Sequence, residues 1–232
     1  MKIALLGYGK MGKVIEKLAL DRGHTIVFKS TADTSEGNFE AADVAIEFSV
    51  PEAAVDNISK ALKAEIPIVS GTTGWLNKYD EMVKLCENRN GSFITASNFS
   101  VGVNLFFSIN EYAAKLMAPW KEYDVSVEEI HHTEKKDAPS GTAISIAESI
   151  LKYSEKQDWK LNSSEENNLK ITAKREEDVK GTHTVSYISS IDTISLEHVA
   201  HSREGFAKGA ILAAEFLKDK KGVFTMKDVL GI

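Results

Sequence analysis

The feature that most constrains this chain is its start, where the apolar run Lys2 to Leu6 enters Gly7-Tyr8-Gly9-Lys10-Met11-Gly12 without a break. Val14, Ile15, Leu18 and Ala19 then recur on one helical face, and Gly23 follows as a stop. A strand, a G-x-G-x-x-G turn and a helix in that order form a dinucleotide-binding unit. In such a unit the first glycine allows the tight turn and the second lets the backbone approach a pyrophosphate. The third lets helix and strand pack closely. A glycine-rich turn without a ligand is the plainer reading, and it is the strand–turn–helix context that favours binding.

The alternation continues. His24 to Phe28, Asp43 to Phe48, Ile66 to Ser70 and Ser92 to Ala96 read as strands. Helices are expected from Ser49-Pro51 through Leu62 and over Asn77 to Arg89. Repeated strand–helix units with short connections predict a Rossmann-type α/β fold, a doubly wound parallel sheet. Ligands bind such sheets beyond the carboxyl ends of the strands. Gly71-Thr72-Thr73-Gly74 and Ala96-Ser97-Asn98-Phe99 fall at two such ends, where small and polar residues suit a nicotinamide and its ribose. Each is also ordinary turn chemistry when taken alone. After the second strand the acid that would hold a ribose 2′-hydroxyl is missing, and Lys29-Ser30-Thr31 stands there instead. Lys29 therefore either accepts a 2′-phosphate or is a solvated cation. The first alternative predicts that NADPH is used at least as well as NADH.

Beyond Ser100 the pattern changes. A long amphipathic helix spans Val103 to Met117, Val125 to His131 alternates like a strand, and Thr142 to Tyr153 is again helical. Ser154 to Asn168 reads as an irregular, exposed connection. His183 to Ile188 and Thr193 to Val199 alternate about a turn at Ser189 to Asp192. This part predicts an α+β half with an open mixed, mainly antiparallel sheet, one face of which another subunit would cover in a homo-oligomer. Gly205 to Lys218 is a last amphipathic helix.

Between the strand ending at His131 and the next helix lies the richest chemistry: Glu129-Ile130-His131-His132-Thr133-Glu134-Lys135-Lys136-Asp137-Ala138-Pro139-Ser140-Gly141-Thr142. Ser140 is a candidate N-cap, and Pro139 an alternative first-turn residue with the cap one or two positions earlier. In both arrangements the N–H groups of Gly141 and Thr142 sit at a helix N-terminus, which suits an anion such as a carboxylate. His131 and Lys135 can move protons. Adjacent His131 and His132 on extended backbone point to opposite sides, so they do not share a metal, and no third ligand is spaced for one. Glu134 and Lys136 read as solvated charges, and Asp137 as either a cap or an orienter of the lysine.

Bulk properties narrow the class. The chain has 232 residues, 43% of them hydrophobic and 27% charged, with a formal net charge of −6. That is no basic footprint for nucleic acid. No stretch has the length of a membrane span and no secretory leader pattern opens the chain, so a cytoplasmic protein is expected. The single Cys86 lies on an amphipathic helix and excludes a disulfide framework; it reads as a small packing residue.

The block Glu129-Ile130-His131-His132, Lys135 and Asp137-Ala138-Pro139-Ser140-Gly141-Thr142-Ala143 closely resembles the signature of the dihydrodipicolinate reductase family. The likeness extends to Gly7–Gly12, to Gly71-Thr72-Thr73-Gly74, to Asn98-Phe99-Ser100-Val101-Gly102-Val103-Asn104, and to His201-Ser202-Arg203 with Phe206-Ala207-Lys208-Gly209-Ala210. It covers nearly the whole chain. The resemblance implies a nucleotide-binding domain of residues 1–98 and 208–232, and a substrate and oligomerisation domain of residues 99–207. It implies reduction of 4-hydroxy-tetrahydrodipicolinate, a cyclic dicarboxylate, by NADPH or NADH in the diaminopimelate route to lysine. A homotetramer is implied as well. His131 would be the proton donor and acceptor, Lys135 the proton donor, and His132 a substrate contact, while Gly141 and Thr142 would bind a carboxylate. Gly7 to Gly12 would face the pyrophosphate, and Gly71, Thr72, Thr73 and Ala96 to Phe99 the ribose and nicotinamide. A nucleotide sensor that lost the chemistry, and a dehydrogenase of another small amino or keto acid, are the competing readings.

Overall fold

The computed structural model describes residues 1–163 and 167–232. They form two compact units, Met1–Val101 with Glu204–Ile232, and Gly102–Arg203.

The first unit is built on a sheet of β1 (Lys2–Leu6), β2 (Thr25–Ser30), β3 (Ser35–Gly37), β4 (Val44–Glu47), β5 (Ile68–Ser70), β6 (Ser92–Thr95) and a late strand, Gly222–Phe224. Its order is Gly222–Phe224, β6, β5, β4, β1, β2, β3. All neighbours run parallel except β2 and β3. Helices α1 (Lys10–Asp21), α2 (Pro51–Lys63) and α3 (Tyr79–Asn88) connect the strands, and a helix at Glu204–Leu217 returns to the unit. Every residue of β4 and β5 is buried, because both faces of the sheet are covered. One apolar cluster joins Ile3, Leu5, Ile46 and Ile94 to Ala210, Ala214 and Leu217 of the returning helix. A second joins Leu6, Ala45, Ile68 and Phe93 to Ile58 and Leu62 of α2. β1 pairs with β2 on one side and β4 on the other, so the strand order reverses at β1, the crevice where such sheets take ligands.

Two details differ from the sequence reading here. The exposed strand β3 adds an antiparallel edge, too short and polar to show a pattern. The second strand runs on through Ser30, which puts Lys29 inside it rather than in a loop.

The second unit comprises α4 (Val101–Met117, shared at its first residue), β7 (Asp124–His131), α5 (Gly141–Leu151), β8 (Asp158–Leu161), β9 (Asn168–Arg175), β10 (Thr182–Ile188) and β11 (Thr193–Val199). The sheet order is β11-β10-β7-β9-β8. It is open and mixed. β10 pairs antiparallel with β11 and β7, whereas β9 pairs parallel with β7 and β8, so the expected antiparallel majority becomes an even division. The expected irregular connection from Ser154 to Asn168 contains β8, and its residues 164–166 lie outside the described residues. β9 has no counterpart among the expected strands. Alternate residues Val125, Val127, Leu169, Ile171, Val185 and Tyr187 face a core completed by Ile146, Ala147 and Ile150 of α5.

The chain closes with α6 (Glu204–Leu217), β12 (Gly222–Phe224) and α7 (Met226–Leu230). The units part just before α6 begins, so the helix stays whole; a division at residue 208 would cut its first turn.

Candidate active site

In the first unit the turn after β1 meets the turn after β4. Gly7 has φ of +98°, and a Cβ there would lie 2.1 Å from the Phe48 carbonyl oxygen. A Cβ on Gly12 would stand 2.6 Å from the Gly7 carbonyl oxygen, while one on Gly9 would meet nothing within 4 Å. The outer glycines thus let the turn pack, and the middle one leaves space on the side where a phosphate approaches. Gly9, Lys10 and Met11 line a cleft of about 380 Å³ with Phe48, Ser49, Pro51, Gly71, Thr72 and Thr73. Tyr8 is not among its walls; its hydroxyl donates to Glu16 on α1.

Glu47, at the end of β4, is a residue the sequence reading passed over. It is fully buried, and its carboxylate accepts from the Ser49 N–H (3.0 Å), the Ser70 hydroxyl (2.7 Å) and the Thr72 hydroxyl (2.7 Å). The Ser49 hydroxyl donates to it as well. One carboxylate therefore fixes the ends of both β4 and β5 beneath the cleft. In the next turn Ala96 and Ser97 are partly or fully exposed, while Asn98 and Phe99 are buried. The Asn98 side chain accepts the Ser100 N–H at 2.9 Å. Phe99 is pinned by α6, where a Cβ on Gly209 would lie 1.7 Å from the Phe99 carbonyl oxygen.

Lys29 is held between two acids. Its ammonium lies 3.0 Å from Glu16 and 3.1 Å from Glu36, the residue opposite it on β3, and sits over the Tyr8 ring at 4.7 Å. The hydrogen bonds it donates to Glu16 and Glu36 hold its pKa well above the usual lysine value. A free cation at the end of β2 is not what the fold presents.

In the second unit the period of β7 puts Val125, Val127, Glu129 and His131 on its buried face. His131 and His132 diverge, as extended backbone requires, with His131 buried and His132 partly exposed. His132 Nε2 lies 3.3 Å from Arg203; burial, then the charge of Arg203, lowers its pKa. Lys135 Nζ donates to both oxygens of Asp137, at 2.7 and 2.9 Å, which makes Asp137 the orienter of the lysine.

Ser140 is the N-cap of α5. Its hydroxyl accepts the Ala143 N–H at 3.1 Å, and Pro139 stands before the helix rather than in its first turn. Gly141 and Thr142 therefore open α5, where N–H groups lack carbonyl partners within the helix. A Cβ on Gly141 would meet nothing within 4 Å, so a ligand can approach the helix start closely.

Beneath these groups lies a buried polar cluster. The Ser140 N–H donates to both Glu129 oxygens at 3.1 Å, and the Arg175 guanidinium stands 3.4 Å from one of them. His131 Nδ1 is 3.2 Å and His183 Nε2 3.9 Å from the other. Burial alone would push the Glu129 carboxyl up. The contacts with His131 and the bonds from Ser140 outweigh it and bring the value down to about 2. Burial, reinforced by the charge of His131, pulls His183 down to about 3. Glu129 is thus anionic and His183 neutral at ordinary pH. Among the described residues, Glu129, His131 and His183 could supply three ligand atoms to a metal. Arg175 and the Ser140 N–H already offset the charge of the carboxylate, while Nδ1 of His131 and Nδ1 of His183 are buried without a completed hydrogen bond.

Arg175 also donates to the carbonyls of Lys135 (3.2 Å) and Asp137 (2.6 Å), tying the loop between β7 and α5 to β9. A further cleft, of about 410 Å³, opens at the other end of β7 around Tyr123 and Asp124 and is lined by none of these groups.

One unit offers a glycine-lined cleft of dinucleotide type. The other offers a histidine and a lysine on the segment that leads into a helix start, a setting that suits an anion. Together they define a pyridine-nucleotide oxidoreductase acting on a small acidic substrate. Comparison with known proteins makes the class specific. The family model described as dihydrodipicolinate reductase, N-terminus, matches residues 1–99, and that for the C-terminus matches residues 102–230. A 4-hydroxy-tetrahydrodipicolinate reductase from Christiangramia forsetii is 53% identical, covering 100% of this chain and 98% of that protein. One from Archaeoglobus fulgidus is 35% identical over 99% of this chain and 100% of its own. A dipicolinate-bound dihydrodipicolinate reductase from Paenisporosarcina sp. TG-14 shares the fold with a TM-score of 0.78, at 20% identity and 97% coverage of both chains. The chain belongs to the dihydrodipicolinate reductase family. It is an oxidoreductase of the diaminopimelate route to lysine, with an N-terminal nucleotide-binding domain.

Proposed function

We propose that the chain reduces 4-hydroxy-tetrahydrodipicolinate to tetrahydrodipicolinate, with His131 and Lys135 as its proton-transfer groups. The observation that carries this reading is the sequence, from the end of β7 to the start of α5, of His131 above a buried carboxylate, Lys135 fixed by Asp137, and the open helix start. A bound NADH or NADPH supplies the hydride. The substrate loses water, and the resulting conjugated ring takes up that hydride and one proton. Gly141 and Thr142 bind a ring carboxylate at the helix start, His132 contacts the substrate, and Lys135 or His131 delivers the proton. Gly7 to Gly12 hold the pyrophosphate, with Gly71, Thr72, Thr73 and Ala96 to Phe99 beside ribose and nicotinamide. Support comes from the space at Gly9 and from the cleft that Gly9 to Met11 and Gly71 to Thr73 line; Ala96 to Phe99 are not among its walls.

For the nucleotide preference we infer the reverse of the expectation drawn from Lys29. With Glu16 and Glu36 around one ammonium the local charge is negative, and a 2′-phosphate would meet two carboxylates. Glu36 is exposed and can accept a ribose 2′-hydroxyl, as the acid at the end of a second strand does in NAD-binding folds. NADH is therefore used at least as well as NADPH.

The protein acts in the cytoplasm, and among the described residues no helix is long and apolar enough to cross a membrane. It works as a homotetramer. Support for assembly comes from the exposed stripe Leu105, Ile109, Tyr112, Leu116 and Trp120 along and just beyond α4, an apolar surface that association would cover. The test of the substrate reading is titration with pyridine-2,6-dicarboxylate. It binds the wild-type protein and competes with substrate; absence of binding by folded protein would contradict the assignment.

A further inference from the structure

The reading above uses Glu129 only as the carboxylate beneath His131 and gives it no role in the chemistry, yet three pieces of the site converge on it. It stands two residues before His131 on the same face of β7, and its side chain is fully buried. One oxygen lies 3.2 Å from His131 Nδ1; that ring atom is buried and makes no completed hydrogen bond. Both oxygens accept the Ser140 N–H, immediately before the helix start that receives the substrate carboxylate. The guanidinium beside it, from Arg175, also grips the carbonyls of Lys135 and Asp137.

The other edge of His131 is kept clear. A Cβ on residue 181 would lie 3.2 Å from Nε2, and that residue is a glycine at φ of +151°. The ring thus has an inner nitrogen beside a carboxylate and an outer nitrogen with room for a reacting atom. His183, on β10 opposite Glu129, does not compete for the carboxylate: its Nε2 lies 3.3 Å from the Ser140 hydroxyl and farther, at 3.9 Å, from Glu129.

We propose that Glu129 is a positioning residue that holds neutral His131 as the Nδ1–H tautomer and reserves Nε2 for proton exchange with substrate. A carboxylate accepts only, so the proton of the neutral ring belongs on the nitrogen facing it, Nδ1. When Nε2 gains a proton the imidazolium forms against an anion already in place. No reorganisation is then needed at the moment of transfer. The same carboxylate fixes Ser140 directly and the Lys135 loop through Arg175, so proton donors and carboxylate site keep one geometry. The inference rests on the role proposed for His131, but its first test does not.

That test is ¹⁵N-edited NMR of the histidine rings in the full-length wild-type protein at a pH where His131 is neutral, with His131 assigned by its loss in H131N. The Nδ1–H tautomer is expected, and a neutral Nε2–H tautomer overturns the proposal. The isosteric E129Q variant gives the second reading. Gln can offer an N–H to Nδ1, so the Nε2–H form gains population. We expect kcat to fall by roughly tenfold or more, as loss of an orienting carboxylate does elsewhere. Nucleotide binding and the KM for substrate should stay within about twofold. A kcat within about twofold of wild type, or a fall matched by loss of substrate binding with the tautomer unchanged, contradicts a positioning role. If E129Q does not fold, the wild-type tautomer still decides. Absence of turnover in wild-type protein would count against the proposed reaction and leave the tautomer result standing.

Discussion

Asp137 holds the Lys135 ammonium with both carboxylate oxygens, at 2.7 and 2.9 Å, in a loop whose backbone Arg175 ties to β9. A lysine fixed at both ends is aimed rather than merely solvated. K135A should lower kcat by about 100-fold or more, the scale on which a general acid contributes. Nucleotide binding should be unaffected, since Lys135 lies in the other unit. D137N keeps the shape and removes the ion pair, so its kcat should fall less. Steady-state kinetics with fluorescence titration of the reduced nucleotide checks both.

The start of α5 should control affinity for dicarboxylates. T142V removes a hydroxyl donor while leaving Ser140 to cap the helix. A lost hydrogen bond to a charged group costs about 1.5–3 kcal/mol, so pyridine-2,6-dicarboxylate should bind roughly tenfold or more weakly. Calorimetric titration measures it. Unchanged affinity would place the carboxylate elsewhere.

Two buried groups set the acid stability, and both signs agree. His183 titrates at about 3 when folded against an ordinary 6.5, so the unfolded chain takes up a proton that the folded one refuses. Stability therefore falls as pH drops from about 6.5 towards 3. Glu129 titrates at about 2 against 4.5, and its contribution is lost between those values. H183Q should flatten the dependence of Tm on pH most clearly between about 6.5 and 5.5, above the range in which Glu129 takes up its proton on unfolding. An unaltered slope in that window would contradict the neutral burial of His183.

At the end of β2, E36Q should remove one of the two acids that neutralise Lys29. The ratio of kcat/KM for NADPH to that for NADH should rise by several-fold in E36Q, because a 2′-phosphate then meets a less negative surface. K29A should move the ratio the other way. A wild-type enzyme that strongly prefers NADPH would reverse this assignment.

Assembly through α4 gives a separate expectation. L116E places a charge in the exposed apolar stripe. Light scattering should report a smaller species than wild type, and an unchanged mass would remove α4 from the interface.

The first unit was legible because its signals are local. The turn at Gly7–Gly12 and the two-sided burial of β4 and β5 both show as short motifs or apolar runs. The short strand β3 was not, since it is exposed and carries no apolar period. In the second unit, Leu169, Ile171 and Ala173 do alternate with Lys170, Thr172 and Lys174. The polar stretch before them masked the strand, and with β9 went Arg175. Glu129 was hidden differently. An acid in a strand reads as solvent-facing until the period is followed from Val125 and Val127, which puts it on the core face. The cap at Ser140 was readable from residue type, whereas the ion pairs of Lys29 depend on pairing between strands and no local pattern shows them.

The most direct measurement is a coupled assay in which 4-hydroxy-tetrahydrodipicolinate is generated freshly and oxidation of NADH, then of NADPH, is followed by the loss of reduced-nicotinamide absorbance. The account predicts nucleotide oxidation that depends on the dicarboxylate, with NADH at least as effective, and its near-complete loss in K135A. Folded protein that binds the nucleotide but leaves it reduced when the dicarboxylate is supplied would contradict it.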